Sequence, residues 1–178
     1  MKPILDVACG CKMFYFDKND QRVLFCDKRI MQPVAVGKGK NARTREVAPD
    51  VQCDFSALPF ADHSYHVVVF DPPHLTRNTG ESRNNIEYGS LNEKAKTTGF
   101  QQIIYGALYV DWRDMLRKGF SECFRVLKPN GVLVFKWNET DIKVSEILAL
   151  TPEKPVFGNR SGKASKTHWI CFVKGDVK

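Results

Sequence analysis

Apolar residues come in short runs along this chain, and most of the runs close on an acid or a turn former. Ile4-Leu5-Asp6-Val7 followed by Ala8-Cys9-Gly10 reads as a strand ending in a tight turn. Val23-Leu24-Phe25-Cys26-Asp27 is a second strand, and Val51-Gln52-Cys53-Asp54 a short third. His66-Val67-Val68-Val69-Phe70-Asp71 is continuous and β-branched, as expected of a central parallel strand buried on both faces. Val132 to Lys136 reads the same way, and residues 154–157 and 169–173 predict two last strands. Met13-Phe14-Tyr15-Phe16 predicts a short buried helix within residues 11–20. From Trp112, Leu116, Phe120, Cys123, Phe124 and Leu127 fall on one helical face. Lys128-Pro129-Asn130-Gly131 stops that helix, and residues 144–150 predict another. Alternating strands and helices give a mostly parallel sheet with right-handed crossovers. The last two strands have no helix between them, so the sheet should end with an antiparallel strand. Residues 37–50 read as a basic, glycine-bearing loop. Residues 75–109, polar and weakly periodic, read as an insertion serving as lid or substrate-recognition segment.

The 178 residues, 43% of them hydrophobic, suit one domain spanning 1–178. The net charge of +7 favours polyanionic partners without bearing on the fold. Six cysteines, mostly in apolar runs and without CxxC spacing, read as reduced core residues in a cytoplasmic protein, with no metal site. No signal peptide and no run long enough to span a membrane is present, so no membrane partner is expected. A homodimer is compatible with the sequence.

Four acids, Asp6, Asp27, Asp54 and Asp71, stand at or near the ends of predicted strands, where open parallel sheets bind ligands. Ala8, Cys9 and Gly10 are small where a backbone must approach a ligand. Asp27 lies 21 residues after Asp6, a spacing that suits a carboxylate accepting ribose hydroxyls. The first turn lacks GxGxxG, which disfavours a dinucleotide. Asp54 and Phe55 offer a carboxylate and a ring to an adenine. Ile4-Leu5-Asp6-Val7-Ala8-Cys9-Gly10, the stretch from Asp54 to His66, and Leu127-Lys128-Pro129-Asn130-Gly131-Val132-Leu133 together resemble class I S-adenosylmethionine-dependent methyltransferases, over nearly the whole chain. The resemblance implies a Rossmann-like α/β domain and S-adenosyl-L-methionine as cofactor. It implies that Asp6, Ala8, Cys9 and Gly10 serve the methionyl end, Asp27 the ribose, and Asp54 and Phe55 the adenine, with Asp71 bordering the cofactor as well. Lys12 departs from the glycine usual in the family and implies a helix that begins without a third close approach.

Asp71-Pro72-Pro73-His74 resembles the Asp-Pro-Pro-aromatic signature of methyltransferases acting on planar amino groups. A conjugated nitrogen is a poor nucleophile. A carboxylate and the Pro72 carbonyl can accept its two hydrogens and stabilise the positive charge that builds on it. Two prolines stiffen the turn. His74 stands where an aromatic ring is usual, and leaves the acceptor's identity open. The implied substrate is an exocyclic amino group of a nucleobase, adenine N6-like, in DNA or RNA. A small molecule or a protein amide, or a non-catalytic binding module, are the alternatives. Substrate contacts are expected from Pro73, Trp137 and Asn138, and phosphate contacts from two basic loops through Lys40, Arg43, Lys163 and Lys166.

Overall fold

A computed structural model of the chain describes residues 2–36, 42–75, 108, 111–161 and 166–175. Strands β1 (Ile4–Asp6), β2 (Val23–Asp27), β5 (Val51–Gln52), β6 (Tyr65–Phe70), β7 (Leu127–Asn138), β8 (Phe157–Ser161) and β9 (Thr167–Val173) form one sheet ordered β5-β2-β1-β6-β7-β9-β8. The first five are parallel; β9 runs antiparallel to both β7 and β8. This is the Rossmann-like α/β arrangement expected, antiparallel ending included. A separate antiparallel hairpin, β3 (Met31–Val36) with β4 (Arg43–Val47), follows β2.

Helix α1 (Trp112–Val126) covers one face of the sheet, and α2 (Val144–Leu148) adds to the same core. Leu116, Phe120, Cys123 and Phe124 of α1 are buried against Leu5, Val68, Phe70, Leu133 and Phe135. Phe70 meets the ring of Phe120 edge-on at 5.5 Å, and Phe120 lies 4.9 Å from Phe135. Burial of each such ring stabilises by roughly 2 kcal/mol. On the opposite face Val23 and Phe25 pack with Cys9 and Tyr15.

Four local expectations are corrected. Residues 11–20 form turns, not a helix. Lys12 takes φ +51°, a left-handed conformation unfavourable to a helix. Asp17 and Asp20 capture the backbone N–H groups of Asn19 and Arg22 in competing turns. Phe16, expected to be buried there, is fully exposed. Residues 31–36 and 43–47 pair as a hairpin where 37–50 read as a loop. Most of the hairpin's side chains face solvent, which removes the apolar alternation that announces a strand. α1 passes directly into β7, so the predicted stop at 128–131 lies inside the strand. Asn130 at φ +60° makes the bend, and the register against β6 slips there. Finally, β8 lies further along the chain than the apolar run 154–157. It is an edge strand held by backbone pairing to β9, with mostly exposed side chains.

Candidate active site

β1 lies between β2 and β6, so the chain leaves it in opposite directions across the sheet. That switch point opens a crevice at the carboxyl ends of the parallel strands. Val7 and Ala8 line it after β1, Asp27, Lys28 and Arg29 at and after β2, Asp54 and Phe55 after β5, Asp71 and Pro73 after β6, and Met115 from α1. The space among these residues, counted out to the open solvent at its mouth, is about 480 Å³. Five of the eight positions read as cofactor-binding border this one cleft: Ala8, Asp27, Asp54, Phe55 and Asp71.

Asp6 sits behind the cleft, fully buried. Its Oδ1 accepts the Ala8 N–H at 3.1 Å, and its Oδ2 accepts the Tyr15 hydroxyl at 2.8 Å. Burial raises its carboxyl to about 7, against the lowering by those two hydrogen bonds. Cys9 is buried, with its N–H on the Cys26 carbonyl. Gly10, at φ +49°, turns its N–H onto Asp27 Oδ2 at 2.9 Å. These three residues shape the turn; the ligand-facing surface comes from Val7 and Ala8.

The other three acids each hold a cation. Asp27 is bonded by the Arg29 guanidinium, with Nε 3.1 Å from Oδ1, and by the Arg29 N–H. Lys28 donates to Asp54 Oδ2 at 2.8 Å, and Ser56 donates to Oδ1. Burial alone would raise Asp54, yet these bonds hold it below the usual carboxylate range. Lys136 donates to Asp71 Oδ2.

Phe55 is held by α1. A Cβ on Gly119 would stand 2.8 Å from the ring of Phe55 and 2.8 Å from that of Phe70, so only glycine lets the helix approach this closely. The segment carrying Phe55 is clamped to the same helix. Arg125 bonds the carbonyls of Leu58 and Phe60, and Glu122 accepts the Leu58 N–H at 2.7 Å.

In the Asp71 turn, Pro72 is buried and Pro73 faces the cleft. The His74 ring stands edge-on to Trp137 at 6.4 Å. Burial lowers the His74 pKa below the ordinary histidine value, against the raising influence of Asp71. Trp137 is fully buried and donates to the Ile142 carbonyl, so it supports His74 from within the core. The Asn138 side chain is bonded to Thr140 and Thr167. Arg43 and Lys166 are exposed, whereas Lys40, Lys163 and all of 76–107 lie outside the described residues.

Tyr15, Lys28 and Arg29 are residues at or behind the cleft that sequence reasoning passed over. Lys28-Arg29 directly after Asp27 carried a readable signal, a cation pair beside a strand-end acid. Tyr15 had none, because the turn that aims it is invisible to periodicity. Among the described residues no helix is long and apolar enough to cross a membrane, and no group of three metal-ligating side chains forms.

No family model matches the chain, and no curated protein matches it in sequence. Among solved structures it is similar to the PH0226 protein of Pyrococcus horikoshii OT3. The TM-score is 0.54 and the identity 12%, over 96% of this chain and 81% of that one. It is also similar, at a TM-score of 0.49 and 13% identity over 97% of this chain and 71% of that one, to the 1,6-didemethyltoxoflavin-N1-methyltransferase of Burkholderia thailandensis, solved with 1,6-didemethyltoxoflavin and S-adenosylhomocysteine. At these identities the likeness is one of fold: the chain has a Rossmann-like α/β domain, with a cleft at its switch point.

Proposed function

We propose that this chain is an S-adenosylmethionine-dependent methyltransferase acting on an exocyclic amino group of a nucleobase in DNA or RNA. One observation carries the reading. A single cleft joins Asp27, Asp54 and Phe55, suited to an adenosine, to the Asp71-Pro72-Pro73 turn, suited to a planar amine.

The chain's own groups fit such a cofactor. Ala8 leaves room for close approach, Phe55 offers a ring, and Asp27 and Asp54 offer acceptors to hydroxyl and amino groups. Lys28, more than half exposed, would have to move off Asp54 for that carboxylate to accept a ligand amino group. The cofactor would supply an electrophilic methyl carbon. Asp71 and the Pro72 carbonyl would accept the two N–H groups of the target and favour a pyramidal nitrogen. His74, kept neutral by burial, would border the acceptor without adding charge beside the nitrogen. A base taken from a duplex would have to flip out to reach the turn.

Calorimetry with S-adenosylhomocysteine, followed by transfer of labelled methyl groups to DNA, RNA, protein and small-molecule fractions, tests the proposal. Binding with label in nucleic acid supports it. Label confined to protein or metabolites moves the function to an amide or small-molecule acceptor, and absence of binding points to a non-catalytic module. Asp71→Ala should abolish turnover while cofactor affinity stays within about threefold.

A further inference from the structure

Phe70 of β6 pairs with Phe135 of β7, so Asp71 and Lys136 occupy the next rung on neighbouring parallel strands. Their side chains meet on the sheet face opposite α1, with the Lys136 ammonium on Asp71 Oδ2. Both are largely withdrawn from solvent, with side chains 24% and 21% exposed. Two rings fix the ammonium from the other side. Its Nζ stands 5.3 Å from the centroid of Phe14 and 5.6 Å from that of Trp169. Phe14 and Trp169 in turn brace each other edge to face at 5.2 Å. Trp169 is the β9 partner of Lys136, so the ring lies over the ammonium by strand register. Phe14 arrives from the turns at 11–20.

We propose that Lys136 is the positioning residue of this site, locking the rotation of the Asp71 carboxylate so that Oδ1 alone faces the acceptor's amine. The inference rests on the amino-methyltransferase reading for its kinetic consequence, though not for its geometry. A carboxylate held between a strand end and two prolines keeps only the rotations about its two side-chain bonds. An ammonium gripped by two aromatic faces removes that freedom before substrate arrives. The pair also keeps Oδ2 from competing for the amine, so the second N–H goes to the Pro72 carbonyl.

The test is the crystal structure of Lys136→Met with S-adenosylhomocysteine, beside steady-state transfer by Lys136→Met and Lys136→Arg. The expected structure has the Asp71 carboxylate rotated away from its wild-type position. The expected kinetics are a fall in kcat of at least about tenfold with KM for S-adenosylmethionine within about twofold, and substantial recovery in Lys136→Arg. An Asp71 that stays in place in Lys136→Met overturns the proposal, and so does a displaced Asp71 with unchanged kcat. Should Lys136→Met not fold, Lys136→Leu, which likewise removes both donor and charge, carries the same two readouts. If the wild-type protein transfers no methyl group to any acceptor, the functional reading falls, and the crystallographic comparison still decides the role of Lys136.

Discussion

Asp6 shows how one buried group ties the site to stability. Burial places its folded-state carboxyl near 7, against 3.8 for the free side chain. Between those pH values the folded chain keeps a proton that the unfolded chain releases. Asp6 therefore favours folding at the acid end of the window, and stability falls as pH rises, levelling above about 7. The contribution is roughly 4 kcal/mol at most. Asp54 and Glu122, both lowered in the folded state, work in the opposite direction, so only a difference isolates Asp6. Urea unfolding at pH 4, 5.5 and 7 should show wild-type protein losing more stability across the series than Asp6→Asn. Parallel profiles would mean that Asp6 is ionised throughout.

At the scale of elements, α1 is what places Phe55 at the cleft. Its single interior glycine, Gly119, is buried where the rings of Phe55 and Phe70 come against the helix. Gly119→Ala adds a favourable helix former but sets a methyl group into two aromatic rings held by other packing. The clash should win: we expect a loss of about 1–3 kcal/mol in thermal or urea unfolding, and weaker S-adenosylhomocysteine binding as Phe55 shifts. Equal or higher stability, as helix propensity alone would give, would show that the rings move freely. The elements also show what the sequence made legible. α1 and the buried strands were readable because each hides one face or both, which writes a period into the chain. The hairpin and β8 were not, because their partners are reached through backbone bonds while their side chains face water. The strand-end acids were readable as a set, since an acid closing an apolar run is conspicuous. Of their cations only Lys28-Arg29, directly after Asp27, left a signal; Lys136 looks like any strand lysine until the register sets it beside Asp71.

The whole molecule carries a charge of +7. Within the cleft the balance is nearly neutral, since Asp27, Asp54 and Asp71 are matched by Arg29, Lys28 and Lys136. The surplus lies elsewhere, at positions such as Arg43 and Lys166, both exposed. Under the nucleic-acid reading, long-range attraction should belong to that outer surface, and selection of the target group to the neutral cleft. Binding of a fluorescent oligonucleotide should weaken log-linearly as salt rises, by about tenfold or more between 50 and 200 mM. Charge-neutral substitution of Arg43 and Lys166 should flatten the slope without altering S-adenosylhomocysteine affinity. A flat salt response in the wild-type protein would count against a polyanionic substrate. The order of the strands has a further consequence, for assembly during synthesis. β8 leaves the ribosome before β9, yet it joins the sheet only through β9, which slots between β8 and β7. Until β9 emerges, β7 shows a bare edge where Phe135 and Trp137 await Ile170 and His168. Trp169 arrives with the same strand, so the brace on Lys136 is among the last contacts to form. The nascent chain thus completes its hydrophobic core and the bracing of the Asp71–Lys136 pair in one late step.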